Sequence, residues 1–236
     1  MLAPSSRNSL TDTQAGQQPC QAFSNLQDET QSRFDAISVQ TSFARGENLF
    51  VEGEEQQYVF VVCSGRVKIS VSSRDGKTAI LRIAGRGDIL GLSAAMARSA
   101  HDVTATALEP CMVKSLRIKD FLSLLQNDAE AAREATRCVL QEYKFVFNNV
   151  CRLALPSTVA GRLANLLLEW CDALPIQHLH SRVTMALTQE EIASMTGTSR
   201  ETVSRVLQQF QRDKVIAIKG ASLTVLQPEA LQQLAV

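Results

Sequence analysis

A chain of 236 residues, 45% hydrophobic and 20% charged, can bury two cores and has the balance of a globular protein. Its 24 basic and 24 acidic residues give a formal net charge of zero, so a nucleic acid would have to be met by a local cluster rather than by a basic surface at large. No apolar run is long enough to span a bilayer, and the scattered cysteines (Cys20, Cys63, Cys111, Cys138, Cys151, Cys171) lack the spacing of a zinc or iron–sulfur site.

Residues 1–22 are rich in Ser, Gln and Thr and lack the basic start and apolar core of a secretory signal, which predicts a disordered tail on a cytoplasmic protein with no membrane partner. In that reducing compartment the cysteines read as small apolar residues. A sensor domain is expected over residues 23–126. A short helix near Asp28–Phe34 precedes a segment, Phe43–Leu116, that alternates with period two between regularly spaced glycines. Val67, Ile69 and Val71 point one way while Arg66, Lys68 and Ser70 point the other, and Arg74-Asp75-Gly76-Lys77 supplies a tight turn before the next strand. Several short strands with such turns suggest a sandwich or jelly-roll barrel, closed by a helix over Lys119–Leu125.

Asn127-Asp128 then offers an N-cap to a long helix, and residues 127–155 are read as a dimerisation helix and hinge. Three apolar rows repeat at seven: Thr136, Tyr143, Val150; Val139, Val146, Leu153; and Leu140, Phe147, Ala154. So broad a stripe predicts packing on two surfaces, the protein's own barrel and a partner helix, with a helix buried in a monomer as the alternative. Pro156 stops the helix, making Leu153–Ser157 a candidate hinge, and Ser157 or Thr158 can cap the next one, Val159–Trp170.

Residues 156–236 carry the motif that points to function. From Thr188 the chain reads T-Q-E-E-I-A-S-M-T-G-T-S-R-E-T-V-S-R-V-L-Q-Q-F, two short helices joined at Gly197. Thr188 and Glu191 form a capping box, and Thr198 or Ser199 caps the second helix. Val203, Val206, Leu207 and Phe210 make its buried stripe, leaving Arg200, Glu201, Ser204 and Arg205 on the opposite face. These four are the candidate base contacts: Arg can span guanine O6 and N7, and Glu can accept from cytosine N4. Thr188, Gln189, Thr198 and Ser199 sit at helix starts, where hydroxyls and free N–H groups suit DNA phosphates. The rival reading makes Glu201 a capping partner of Thr198 and the arginines solvated surface. Val215–Lys219 and Leu223–Leu226 add a two-stranded wing, and Pro228 opens a last helix.

On these residues the chain resembles the CRP/FNR superfamily of bacterial regulators over about residues 23–236. The segment S-R-E-T-V-S-R at Ser199–Arg205 carries most of the likeness, with G-x-x-L-F-x-E-G-E at Gly46–Glu54 and G-D-I-L-G at Gly87–Gly91 in the matching order. The resemblance implies an α+β protein: an N-terminal double-stranded β-helix of the cyclic-nucleotide-binding-like, jelly-roll type, a long dimerisation helix, and a C-terminal winged helix-turn-helix. It implies a homodimer on double-stranded DNA with TGTGA-like palindromic half-sites, and RNA polymerase as a partner if the protein activates.

The same resemblance locates an effector pocket at Gly91, Leu92, Ser93, His101, Asp102, Phe147 and Asn148. Where cyclic-nucleotide binders of the family hold the ribose with Glu and the cyclic phosphate with Arg-Ser, this chain has Leu92 and His101-Asp102. An apolar side chain cannot accept from ribose, and Asp102 repels a phosphate, which argues against cyclic AMP in the familiar mode. The oxygen-sensing branch needs several N-terminal cysteines and this tail has only Cys20, so its iron–sulfur cluster is not expected. The effector is therefore unknown; haem stays open with His101 as candidate axial ligand, against the plainer reading of His101 as a loop residue. His178 and His180 look like a metal pair but lack further ligands. A cupin-like enzyme would need several inward histidines where this barrel segment has only His101, and no nucleophile triad or phosphate loop is present, so no catalysis is expected. A third reading gives the winged helix a protein partner.

Overall fold

A computed structural model describes residues 23, 26–74, 78–155, 158–172, 182–184, 187–220 and 222–235. The element order is α1 (Asp28–Ala36), β1 (Ser38–Phe43), β2 (Asn48–Phe50), β3 (Tyr58–Ser64), β4 (Val67–Ser72), β5 (Thr78–Ala84), β6 (Ile89–Leu90), α2 (Leu92–Ala97), β7 (Thr104–Ala107), β8 (Cys111–Arg117), α3 (Ile118–Asn127) and α4 (Ala129–Ala154). After these come α5 (Val159–Asp172), β9 (Arg182–Thr184), α6 (Gln189–Thr196), α7 (Arg200–Arg212), β10 (Ile216–Lys219), β11 (Ser222–Val225) and α8 (Pro228–Leu234). The expected tail over residues 1–22, the turn residues Asp75–Lys77, the hinge residues Pro156 and Ser157, the pair His178 and His180, and Cys20 lie outside the described residues.

Two four-stranded antiparallel sheets, in the orders β1-β8-β3-β6 and β2-β7-β4-β5, face each other as a double-stranded β-helix. β3 shows why its sequence reads as an unbroken apolar run: Phe60 and Val62 fill the barrel interior, while Val59 and Val61 pack outward against the helices. Alternation in β4 is simpler, with Val67 and Ile69 inward. Gly65, between those two strands, has φ +86°, and a Cβ there would sit 2.7 Å from the Pro110 carbonyl oxygen. The helix-side core joins Phe34 of α1 and Phe121 of α3 to Ala131, Ala135 and Cys138 of α4.

Asp128 caps α4, its carboxylate accepting from the backbone of Glu130 and Ala131 at 3.0 Å each and from the Thr30 hydroxyl at 3.0 Å. Those donors, the Ala131 amide foremost, hold the Asp128 carboxyl below the usual carboxylate range. The expectation that the wide apolar stripe of α4 packs against the barrel needs correction. Small residues, Ala131, Ala135 and Cys138, enter the helix-side core, where α4 packs mainly on α3 and α2. The three heptad rows fall on the far side, where Leu140, Tyr143, Val146, Phe147, Val150 and Leu153 are all exposed, with Val139 alone partly packed on the core. Alanine and cysteine weigh little in a hydrophobic pattern, yet small side chains let α4 lie close against α3.

The C-terminal unit has its own core, in which Leu163 and Leu167 of α5, Ile192 of α6, Leu207 of α7, Leu223 of β11 and Leu231 of α8 meet. Thr158 caps α5 by accepting from Gly161 N at 3.0 Å. The wing is three-stranded, β10-β11-β9, the third strand coming from a segment too short to show a period. α2, with only six residues, was equally illegible from pattern. Among the described residues no helix is long and apolar enough to cross a membrane.

Candidate nucleic-acid interface

α6 and α7 are shaped by their ends. Thr188 and Glu191 close a reciprocal capping box: the Thr188 hydroxyl accepts from Glu191 N at 3.2 Å, and the Glu191 carboxylate accepts from Thr188 N at 2.8 Å. Gly197 ends α6 at φ 62°, the left-handed region that a side chain opposes, and Thr198 N–H returns to the Ala193 carbonyl at 3.0 Å. Ser199, rather than Thr198, caps α7, accepting from Thr202 N at 3.3 Å. The third residue of that helix is then Thr202, so Glu201 is not a capping-box partner. Its carboxylate instead accepts from its own backbone N–H and from the Ser199 hydroxyl, which hold it ionised below the ordinary range.

Val203, Leu207 and Phe210 are buried in the C-terminal core, with Val206 half-buried beside them. That fixes the rotation of α7 and turns Arg200, Glu201 and Arg205 to solvent, with Ser204 half-buried at their margin. Thr188 and Ser199 are exposed and Gln189 and Thr198 half-buried, all near the two helix starts. The hydroxyls of Thr188 and Ser199 already serve as caps, so the free N–H groups there are the better anion donors. Arg162 of α5 donates through Nε to the Thr196 carbonyl at 2.8 Å, locking the end of α6; the sequence pattern gave no hint of it. A cleft of about 1180 Å³ separates the first turn of α7 from the β4–β5 hairpin, with Arg200 and Glu201 on one wall and Lys68, Ser72 and Thr78 on the other.

In the sensor, the structure brings together only part of the expected pocket. Gly91 opens α2 at φ 78°, and a Cβ there would lie 3.2 Å from His101 Cε1. His101 is 5% exposed and lies flat on Phe50, ring centroids 3.9 Å apart and planes 9° off parallel. Burial lowers its pKa, opposed by Glu54 and Asp102. It is packed as a core aromatic, an arrangement that does not suit a haem ligand. Leu92 points into the helix-side core, and Asp102 is exposed. Phe147, 56% exposed, and Asn148 stand on the free face of α4, away from the barrel.

What faces the barrel at that level is Glu142, which accepts from the Ser93 hydroxyl at 3.4 Å. Burial raises its pKa; Arg82 pulls it down, while Asp102 and Asp88 push it up. Arg82 pairs with Asp88 at 3.4 Å, side chains 13% and 10% exposed, and its guanidinium lies 5.7 Å from the centre of the Phe145 ring. Sequence reasoning missed this cluster. Its one signal was Arg82 itself, a charge inside the apolar run Ala79–Ala84. Among the described residues no group of three His, Cys, Asp or Glu side chains could hold a metal ion.

Comparison with known proteins places these parts. Residues 40–128 match the family model of the cyclic nucleotide-binding domain, and residues 161–234 match that of the Crp-like helix-turn-helix domain. The chain is 30% identical over 190 residues to the CRP-like cAMP-activated global transcriptional regulator of Mycobacterium tuberculosis H37Rv, covering 80% of this chain and 84% of that protein. In fold it is similar to FixK2 from Bradyrhizobium japonicum (TM-score 0.75, 22% identity, 85% of this chain and 98% of that one). It is likewise similar to a CooA mutant from Carboxydothermus hydrogenoformans (TM-score 0.78, 21% identity, 97% and 98%).

Proposed function

Because this chain belongs to the CRP/FNR family of DNA-binding transcription regulators, we propose that it works in the cytoplasm as a homodimer on a palindromic operator with TGTGA-like half-sites. The observation that carries the reading is the solvent-facing row Arg200, Glu201 and Arg205 on the capped first turns of α7. Arg200 and Arg205 select guanines, Glu201 the cytosine opposite one of them, and Ser204 lies beside them. Thr188, Gln189, Thr198 and Ser199 set the register on phosphate. The partner copy covers the exposed apolar face of α4: six large apolar side chains in water on one helix call for burial. Two recognition helices then reach successive major grooves roughly 34 Å apart, so any shift between the long helices changes affinity.

The effector site lies between β5, α2 and α4, around Arg82, Asp88, Ser93 and Glu142. The M. tuberculosis relative is named as cAMP-activated, but with Leu92, His101 and Asp102 at the gripping positions this chain responds to a different signal. A duplex carrying two TGTGA-like half-sites one turn apart tests the reading by fluorescence anisotropy, with sedimentation for assembly. The expected result is a dimer that prefers that duplex over a scrambled one by a factor of about 10³ or more. A monomer with equal affinity for both sinks it. Calorimetric titration with cyclic AMP is expected to show no heat; micromolar binding overturns the effector part alone.

A further inference from the structure

β5 is the outer strand of its sheet, so one edge of its backbone has no neighbouring strand. α6 covers that edge. Ser194 Oγ donates to the Thr78 carbonyl at 2.6 Å and accepts from Ile80 N–H at 3.2 Å, one hydroxyl standing in for two groups of a missing strand. The Ile80 side chain, 6% exposed, belongs to the core of the C-terminal unit, and Ile83 packs against that core. On the same strand Arg82 reaches the sensor pocket, where it meets Asp88 and Phe145. Between them the pairing with β4 slips: Ile69 pairs Arg82 and Ser70 pairs Ile80, leaving Leu81 as a bulge. A bulge bends and twists its strand, which allows neighbouring side chains to serve two different surroundings.

We infer that β5 is a second link between sensor and helix-turn-helix, in which the state of the pocket around Arg82 sets the position of the recognition helix and Ser194 is the positioning residue. This goes beyond the function proposed above, which needs only a shift between the long helices. The physical basis is a short segment anchored at both ends: Arg82 is held by an ion pair and an aromatic ring, while Ile80 and the strand edge are held by α6. A change that moves Arg82 therefore acts on α6 through three residues of backbone. Ser194 belongs neither to the Arg82 cluster nor to the base-reading row, although it lines the same cleft as Arg200 and Glu201, and its two hydrogen bonds to β5 are the route by which it acts.

A double-mutant cycle on the full-length chain tests the link. Arg82→Gln is expected to change affinity for the half-site duplex by about threefold or more, and that change is expected to vanish when Ser194→Ala is also present. An Arg82→Gln effect of equal size in both backgrounds, or none in either, overturns the inference. Amide hydrogen exchange on the DNA-free protein gives an independent readout. Ser194→Ala is expected to speed exchange at Ile80 by about tenfold while Val59, central in the other sheet, stays as it was; unchanged Ile80 exchange overturns the clasp. If the wild type fails to bind the duplex, the operator reading falls, and the exchange measurement still decides the link.

Discussion

In the C-terminal unit each outward residue is set by its neighbours in the chain. Ser199 caps α7, Gly197 turns the backbone before it, and the stripe Val203, Leu207, Phe210 fixes which way Arg200, Glu201 and Arg205 face. The proposed effector site is built the opposite way: Arg82 comes from β5, Asp88 from the turn before β6, Ser93 from α2 and Glu142 from α4. A surface made locally keeps its geometry wherever the domain swings. One assembled from four segments changes whenever any of them moves, which suits a sensor.

The largest effect is expected at the interface the recognition unit depends on and does not itself contain. Phe147→Lys places a charge on the exposed face of α4 and should give a monomer by sedimentation with loss of operator binding; a variant that stays dimeric breaks the proposed seam. Next, Leu207→Ala removes a side chain only 2% exposed and should cost about 2–5 kcal/mol, read by denaturant titration. If the two regions are separate cores, the C-terminal unit then melts first while amide exchange in β3 remains slow. Arg200→Ala should leave the melting temperature unchanged and weaken binding by about 1–3 kcal/mol at one base position. Equal weakening on every sequence would make Arg200 a phosphate contact.

The smallest expected effect sits in the sensor. Burial raises the Glu142 pKa, so the folded state holds that proton more tightly than the unfolded one. Stability from this group is therefore full below the unfolded carboxyl pKa and declines as pH rises through the raised value. Glu142→Gln should flatten that decline and raise the melting temperature at neutral pH. An unaltered pH profile would place Glu142 in a more open setting than the pocket assigned to it.

Legibility followed the same division. The helix-turn-helix was readable because capping, a left-handed glycine and a 3.6-residue stripe are all contained in the segment Thr188–Phe210. The barrel was readable as a class, since strand alternation and glycine spacing survive without knowing which strands pair. The pocket expected to include Phe147 and Asn148 is not assembled within one chain, since a resemblance transfers positions and not side-chain environments; here those two residues face away from the barrel. The part of α4 that enters the helix-side core was missed because Ala131, Ala135 and Cys138 are small.

By itself the sequence determined the long and capped helices, the strand-rich character of the barrel and the residues α7 turns outward, because each depends on interactions between residues a few positions apart. Only the tertiary structure decided that α4 enters the helix-side core through Ala131, Ala135 and Cys138, that Arg82 and Glu142 lie in one half-buried cluster, and that Ser194 closes the edge of β5. Those are contacts between distant segments, and their energy depends on burial and geometry that no short stretch of chain encodes.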